Sequence, residues 1–208
     1  MERSVLIAIP AFNEAASIKH VINSVIKHGD VYVFDNNSSD LTSKIAKENG
    51  ASVYSVIDKG YENVVFSIVD YFEESNYIKL ILIDGDGEVG LNQIEESINL
   101  LDKFDVVVGN RDQKKRIGEK IICYLFDYFF NIKDIYCGFK SFKKSGINKN
   151  RTKNTFATSV VNKKTKIFNM SVSVEKRLSS SKLGEGFSIN FDLILSGIRG
   201  LFSWKFYF

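Results

Sequence analysis

The sequence predicts an α/β fold with a mostly parallel central sheet flanked by helices. In the first 111 residues, short runs rich in Val, Ile and Leu alternate with stretches of helical period, the pattern of successive βαβ units. The chain has 208 residues and is 44% hydrophobic, which is enough for one core in a single domain. The connections between parallel strands are expected to be right-handed.

The elements of this half follow from two apolar patterns. Buried strands are continuous apolar runs, and the first of them ends at Pro10, the only proline in the chain. The helices have apolar residues three and four positions apart, and the first two stop at Gly29 and Gly50. The strands are predicted at 4–10, 31–35, 51–56, 78–84 and 105–111, and the helices at 14–29, 38–50, 61–75 and 91–104.

The second half is less regular. A strongly apolar helix is predicted at 119–132, and residues 134–144 fit either a strand or a turn followed by a strand. Residues 143–166 are rich in Lys, Asn, Ser and Thr and indicate a mobile loop or a surface helix. Alternating residues at 166–177 predict an edge strand.

Residues 187–208 are apolar and aromatic with a partial helical period. They fit either a core helix or an amphipathic helix on a membrane surface. The aromatic residues around Lys205 near the end of the chain suit a membrane interface. We therefore assign residues 1–186 to one α/β domain and residues 187–208 to a separate C-terminal segment.

Composition limits where the protein works. Glu2 and Arg3 lead directly into a short strand, so we expect no signal peptide. No apolar stretch reaches the roughly 18 residues that span a bilayer. Cys123 and Cys137 are too few for a disulfide framework and are expected in the core. We expect a cytoplasmic protein, peripheral at the cytoplasmic face of a membrane, with no nucleic-acid partner.

Charge is divided unevenly along the chain. Residues 1–110 hold 8 basic and 18 acidic residues, a net charge of −10, whereas the remaining residues hold 20 and 7, a net charge of +13. Most individual lysines need no special function, because charged side chains ordinarily lie on solvated faces. A difference this large favours an acidic, metal-using half joined to a half that meets an anionic partner.

The stretch "LILIDGDGEVG" ends a buried strand with three carboxylates, Asp84, Asp86 and Glu88. Carboxylates this close repel one another unless a cation lies between them. The intervening glycines, Gly85 and Gly87, allow the backbone to approach a ligand. The three side chains could present oxygens to one Mg²⁺ or Mn²⁺ ion, and the alternative is an acidic surface turn.

Other polar residues follow the predicted strands at 11–14, 35–40 and 109–111. Ligands of open parallel sheets bind at the carboxyl ends of the strands, so these segments are expected to surround one site. For Asp35 and Asp40 the alternative is helix capping.

The ordered set "IPAFNEAASI", "VFDNNSSDLT", "GYENVV", "LIDGDGE" and "VVVGNR" resembles the family 2 glycosyltransferases of the GT-A fold, a Rossmann-like fold. Those enzymes have "PxxNE", "DDGSxDxT" and a D-x-D metal motif in this order. The segments "DIYCGFKSFKK" and "KRLSSSKLG" further resemble the dolichol- and polyprenol-phosphate sugar synthases. Asn36, Asn37 and Lys140 stand where that pattern has Asp, Gly and Arg.

The resemblance implies a donor site for a UDP- or GDP-linked sugar. Pro10, Phe12 and Glu14 would wall the nucleotide pocket, and Asp35 would face the base. The D-x-D motif would hold Mg²⁺ or Mn²⁺ through Asp84 and Asp86, with Glu88 beside them. Asp84 would thereby also contact the donor.

The resemblance also implies an acceptor site for a polyprenyl phosphate. Arg111, Arg116 and Lys182 would lie near the acceptor phosphate and, with Asp86, would be the catalytic residues. Lys140 and Arg177 would contribute to substrate binding. A phosphate acceptor is already nucleophilic and needs no general base.

Two other functions stay open at this point. One is a family 2 glycosyltransferase that acts on a saccharide hydroxyl in surface-polysaccharide synthesis, for which Glu175 is the nearest carboxylate that could serve as a base. The other is a nucleotide-binding protein without transferase activity.

Overall fold

The computed structural model describes residues 4–89, 91–112, 117–147 and 165–175. The described residues contain seven strands and five α-helices. The strands are β1 (Val5–Ala11), β2 (Asp30–Asp35), β3 (Ser52–Ser55), β4 (Lys79–Leu82), β5 (Val106–Arg111), β6 (Lys140–Lys143) and β7 (Ile167–Val172). The helices are α1 (Ile18–Val25), α2 (Thr42–Glu48), α3 (Tyr61–Glu74), α4 (Ile94–Leu100) and α5 (Ile117–Phe130).

All seven strands form one sheet in the order β3-β2-β1-β4-β6-β5-β7. Strands β1 to β4 are parallel to their neighbours among themselves, and β5 is parallel to β7. Only β6 runs antiparallel, between β4 and β5. The predicted mostly parallel sheet is confirmed.

Helices cover both faces of the sheet, and β1 shows this directly because all seven of its residues are buried. Val5, Ile7 and Ile9 pack into the core that includes α1 and α4, whereas Leu6 and Ala8 pack into the opposite core with α3 and α5. Burial of each Val, Ile or Leu side chain contributes about 1.5–3 kcal/mol. The continuous apolar sequence of β1 is the pattern of a strand buried on both faces.

Helix α5 begins two residues earlier than the sequence pattern predicts and buries Ile122, Cys123 and Phe126. It ends where Asn131 adopts a left-handed conformation with φ 55° and donates its N–H to the Asp127 carbonyl. Asparagine tolerates this conformation, which is common just after a helix. Among the described helices, none is long and apolar enough to cross a membrane.

The second half of the chain resolves one alternative that the sequence left open and confirms one predicted strand. Residues 134–144 form a turn followed by the short strand β6, and β7 lies at the edge of the sheet as predicted. Cys123 and Cys137 are buried free thiols, as expected. Residues 148–164 and the predicted C-terminal helix at 187–208 lie outside the described residues.

Candidate active site

The strand order indicates which end of the sheet holds the ligand-binding site. Strands β1, β2 and β3 follow one another in one direction, whereas β4 lies on the other side of β1. Ligands of open α/β sheets bind at the carboxyl ends of the strands where the order reverses in this way. The polar segments 12–15, 36–41 and 84–88 follow β1, β2 and β4 at that end.

The loops after β1 and β2 are bonded to each other. The Asn13 N–H donates to Ser38 Oγ at 2.9 Å, and Asn13 Oδ1 accepts the Ser39 N–H at 2.8 Å. The Glu14 N–H donates to Thr42 Oγ1 at 2.8 Å. Asn13 has φ 53°, which an asparagine adopts at low cost. The "NE" and "NNSSD" segments therefore form one unit.

Asp35, predicted to face the base, is buried at the end of β2. Its Oδ1 accepts both the N–H of Ser38, at 3.2 Å, and the Ser38 hydroxyl, and its Oδ2 accepts the Ser43 hydroxyl at 2.6 Å. Asp40 Oδ1 accepts the Thr42 N–H at 2.9 Å at the start of α2. Asp40 thus bonds Thr42, the first residue of α2, but the N-cap residue of this helix is Leu41. The contact of Asp35 with a base stays a prediction.

Asn36 uses both ends of its amide to hold the loop before α3. Its Nδ2 donates to the Asp58 carbonyl at 2.8 Å, and its Oδ1 accepts the Gly60 N–H at 2.9 Å. A carboxylate at this position accepts but cannot donate. Asn37 has φ 64°, so an asparagine takes the left-handed conformation that the family pattern assigns to glycine.

The acidic turn after β4 is partly buried. Asp84 and Asp86 are half-buried and Glu88 is buried. Asp86 Oδ1 accepts the Glu88 N–H at 2.9 Å, and the Glu88 carbonyl accepts the Glu175 N–H at 2.7 Å. In the part of the chain that the structure describes, no three His, Cys, Asp or Glu side chains form a group that could hold a metal. The metal role of all three carboxylates together therefore stays a prediction.

Asp84 contacts two residues from distant parts of the chain. The Tyr61 hydroxyl donates to Asp84 Oδ1 at 3.1 Å, and a Cβ on Gly138 would collide with Asp84 Oδ2. Although 51% of Tyr61 is exposed, desolvation of its hydroxyl raises its pKa well above the ordinary value, and Asp84 raises that pKa further. The phenol is therefore protonated and acts as the donor.

Lys140 is buried close to Asp84, and its Nζ donates to the Cys137 carbonyl. Burial lowers the pKa of Lys140, while the neighbouring Cys137 thiol group and the Asp84 carboxylate oppose this shift. The Lys140 ammonium group therefore lies near both Asp84 in the acidic turn and Cys137 in the turn before β6. Its contact with a substrate stays a prediction.

The residues predicted to wall the nucleotide pocket lie around the acidic turn. Gly85 packs closely against the carbonyl of Pro10 and the side chain of Glu14. Glu14 is buried, and its Oε2 accepts the Ser17 hydroxyl at 3.1 Å. Phe12 is 47% exposed, which leaves a ring surface for a ligand. The structure therefore brings the ends of β1 and β4 together.

Arg111, predicted near the acceptor phosphate, lies in a buried ion pair at the end of β5. Its Nε is 2.8 Å from Asp134 Oδ2, its Nη2 is 3.1 Å from Asp134 Oδ1, and the Glu119 carboxylate lies 3.6 Å away. Burial acts to lower the pKa of Arg111, but Asp134 raises it overall. The guanidinium is thus held by two carboxylates, and its role in acceptor binding stays a prediction.

Arg116, Arg177 and Lys182 lie outside the described residues, so their predicted contacts with the acceptor stay predictions. The donor set at the acidic turn nevertheless fits a hard cation in its chemistry, since Asp84 and Asp86 are half-buried carboxylates just after a strand end.

Sequence reasoning missed Tyr61 and Gly138 as site residues. Tyr61 belongs to the "GYENVV" segment and Gly138 to the "DIYCGFKSFKK" segment, and the resemblance implies no role for either position. Both touch Asp84 from more than 20 residues away, at separations that no local pattern reveals.

Comparisons with known proteins agree with this geometry. A model of glycosyl transferase family 2 matches residues 6–145. Protein RfbJ of Shigella flexneri is 37% identical over 115 residues, which cover 53% of this chain and 87% of that protein. Glycosyltransferase AglJ of Haloferax volcanii is 27% identical over 155 residues, which cover 68% of this chain but only 50% of AglJ.

Solved structures share the fold. Glucosyl-3-phosphoglycerate synthase from Mycobacterium tuberculosis, in complex with phosphoglyceric acid, matches with a TM-score of 0.76 and 16% identity over 95% of this chain and 80% of that one. The same enzyme in complex with Mn²⁺, UDP and glucosyl-3-phosphoglycerate matches with a TM-score of 0.71 and 14% identity, over 97% and 80% of the two chains.

The sheet order and this likeness show that the chain has the GT-A fold. The match to the family model covers more than half of the chain, and the chain therefore belongs to glycosyl transferase family 2. The chain is therefore a glycosyltransferase. This conclusion contradicts the alternative of a nucleotide-binding protein without transferase activity.

Proposed function

We propose that this glycosyltransferase moves a sugar from a UDP- or GDP-linked donor to a polyprenyl phosphate at the cytoplasmic face of a membrane, with inversion at the anomeric carbon. The proposal has a donor part, which depends on the turn after β4, and an acceptor part, which depends on α5. Each part has its own support.

The donor part is supported by the grouping of Pro10, Glu14 and Asp84 at the carboxyl ends of β1 and β4. Asp35 and the acidic turn are both at this end of the sheet. The structural relative solved with Mn²⁺ and UDP supports a divalent ion and a nucleoside diphosphate as ligands.

Asp84 and Asp86 would hold the Mg²⁺ or Mn²⁺ ion, with Glu88 next to them in the turn. Such an ion, when bound, stabilises the negative charge that develops on the departing diphosphate. The protein itself orients the donor and shields the reacting bond. The bond from the anomeric carbon to the diphosphate breaks as a phosphate oxygen of the acceptor forms the new bond from the opposite side.

The observation that carries the acceptor part is the outer face of α5. Ile117, Tyr124 and Tyr128 are more than 70% exposed, and Ile121 is 48% exposed. These four residues are spaced at helical intervals and form one apolar and aromatic face. A protein in water rarely leaves such a face uncovered without a use for it.

Basic residues on and before α5 support an anionic membrane as the occupant of this face. Lys120 is exposed on α5, and the chain has three further basic residues, 114–116, directly before the helix. Tyrosine and isoleucine beside basic residues suit the interface of an anionic bilayer. The helix begins beside the end of β5, since Glu119 lies 3.6 Å from Arg111. A lipid acceptor would thus reach the same end of the sheet as the donor.

An acceptor assay tests this function. The protein is incubated with labelled UDP- and GDP-sugars, Mn²⁺, and either polyprenyl phosphate in vesicles or a soluble saccharide. We expect labelled product that partitions into organic solvent. Product formed only on the soluble saccharide would overturn the proposal.

Vesicle sedimentation tests the role of α5. Replacing Ile121 and Tyr124 with Ser should reduce binding to anionic vesicles, and added salt should weaken binding of the unchanged chain. Ile57, which is 92% exposed on another part of the surface, supplies the matched control through Ile57→Ser. Equal loss in the control would show that any exposed apolar residue binds vesicles.

A saccharide hydroxyl as acceptor is the second candidate, and the position of Glu175 favours it. The Glu175 N–H donates to the Glu88 carbonyl at 2.7 Å, and Glu175 Oε1 accepts the Asn92 side-chain amide at 3.3 Å. A carboxylate thus stands beside the acidic turn, where a hydroxyl acceptor would need a general base.

Glu175→Gln separates the two candidates. A hydroxyl acceptor predicts a loss of about 10²–10⁴-fold in turnover, because the base is removed. A phosphate acceptor predicts little change, since its oxygen is already ionised. Glu96→Gln, at an exposed position on α4, is the control.

A further inference from the structure

The hydroxyl of Tyr61 and the carboxylate of Asp84 form a contact that the family pattern does not assign. Tyr61 is the first residue of α3 and follows Gly60, whose φ of 112° favours glycine. The loop before it is held by Asn36, which donates to the Asp58 carbonyl and accepts the Gly60 N–H. The position of Tyr61 therefore depends on Asn36, the residue that follows Asp35 after β2.

Asp84 is restrained at both of its oxygens. Oδ1 accepts the Tyr61 hydroxyl at 3.1 Å, and Oδ2 lies against the backbone of Gly138. With both oxygens contacted, rotation of the carboxylate about its Cβ–Cγ bond is limited. A fixed carboxylate binds a cation or a diphosphate without first losing rotational freedom.

We propose that Tyr61 is a positioning residue that fixes the orientation of the Asp84 carboxylate, and that Asn36 keeps Tyr61 in place through residues 58–60. This inference rests on the proposed role of Asp84 in the donor site. It links residues 35–40 after β2 to the acidic turn after β4 through two sets of hydrogen bonds, which the backbone of residues 58–61 connects.

The substitution Asn36→Asp tests the first part of this series. Aspartate would still accept the Gly60 N–H, but it would place an oxygen against the Asp58 carbonyl, where the amide now donates. The loop should shift, and Tyr61 with it. The inference therefore predicts weaker donor binding from a change that restores the residue of the family pattern.

The experiment measures UDP binding by calorimetry, with and without Mn²⁺, and needs no turnover. Tyr61→Phe, which keeps the ring, should weaken Mn²⁺-dependent UDP binding about tenfold, as expected when a hydrogen bond to a charged group is lost. Asn36→Asp should weaken it similarly, and the double variant should be no worse than the stronger single one, since both act on one contact. The loss should be absent when UDP is titrated without Mn²⁺.

Tyr77→Phe is the matched control. The Tyr77 hydroxyl donates to Asp30 Oδ2 at 2.9 Å, a bond of the same kind at the start of β2, away from the site. UDP binding of this variant should equal that of the unchanged protein.

The possible results separate this inference from the function it rests on. Asp84→Asn must itself abolish the Mn²⁺-dependent part of binding; if it does not, the proposed role of Asp84 is wrong. If Asp84→Asn abolishes that part while Tyr61→Phe binds normally, only the inference is overturned. Normal binding by Tyr61→Phe with loss in Tyr61→Ala would assign Tyr61 to ring contact with the donor and would also overturn it.

Discussion

Asp134 binds Arg111 through both of its carboxylate oxygens, with Nε–Oδ2 at 2.8 Å and Nη2–Oδ1 at 3.1 Å, and its Oδ2 also accepts the Arg111 N–H at 3.3 Å. Asp134 is fully buried and Arg111 nearly so. The end of β5 is thereby joined to the turn that precedes β6. A guanidinium buried in this position needs its carboxylate partner, because a buried charge without one is costly.

Asp134→Ala should lower the free energy of unfolding by about 3–5 kcal/mol, because it leaves the Arg111 charge buried without its main partner. Denaturant titration measures this change. The control is Asp102→Ala, which removes an exposed carboxylate 2.6 Å from Lys79. It should cost little, because Lys79 keeps its hydrogen bond to the Ile98 carbonyl. Equal effects of the two variants would contradict the assignment of a buried pair.

Gly138→Ala should weaken Mn²⁺-dependent UDP binding, because the new Cβ would collide with the Asp84 carboxylate and displace it. The substitution tests the Gly138 side of Asp84 independently of Tyr61. Calorimetry measures binding, and Ser145→Ala, at an exposed position soon after β6, serves as the control. Unchanged binding by Gly138→Ala would show that Asp84 can move without consequence for the donor.

Asp86→Ala should abolish sugar transfer while the protein stays folded. Asp86 is half-buried at a strand end, and its carboxylate accepts one main-chain N–H, from Glu88 at 2.9 Å, so it contributes little to packing. Transfer is assayed with Mn²⁺ and after treatment with a chelator, and circular dichroism reports the fold. Near-normal transfer by this variant in chelator-treated buffer would rule out the metal role.

Asp35→Ala should weaken nucleotide binding by about 1–3 kcal/mol if its carboxylate accepts a buried hydrogen bond from the base. The same change also deprives Ser38 and Ser43 of their acceptor. Ser43→Ala therefore provides the comparison, since it removes a serine bond and keeps the carboxylate. If both variants bind UDP equally well, Asp35 only orders the loop after β2.

Stability should fall at alkaline pH because of Cys137. Burial raises the pKa of this thiol from 9.0 to about 11, so the folded protein keeps the proton at pH values where the unfolded chain loses it. The stabilisation is complete below the unfolded pKa and is lost as the pH rises through the folded pKa. Between pH 9 and 11, Cys137→Ala should lose less stability than the unchanged protein in denaturant titrations. Parallel pH profiles would contradict the shift.

The βαβ half was predictable because each element carries its own signal. Strands β1, β2, β4 and β5 contain runs of apolar residues, whereas β3 has only Val53 and Tyr54 between two serines. The helices between them have a period that shows in neighbouring residues. Strand β6 was ambiguous because it has only four residues and follows a turn. Its antiparallel place between β4 and β5 depends on pairing with residues far away in the chain, which no local pattern contains.

The site was predictable in its residue types more than in its contacts. The order of Glu14, Asp35 and Asp84 along the chain was enough to place them at one end of the sheet. The bond from Tyr61 to Asp84 joins residues 23 positions apart, and the use of Asn36 as both donor and acceptor depends on the loop geometry. Such contacts depend on where the folded backbone places the two residues, so the sequence pattern alone does not predict them.

The acidic turn after β4 is hydrogen-bonded to residues 174–175, which lie far along the chain. Val89 pairs with Val174, and the Glu88 carbonyl accepts the Glu175 N–H, just after β7 joins the sheet beside β5. A ribosome delivers residues in order, so β1 to β5 can associate before these partners have been synthesised. A nascent chain that stops short of residue 175 would carry the carboxylates without this support. We therefore expect a newly made molecule to gain its affinity for the donor late in translation, after the sheet has begun to form.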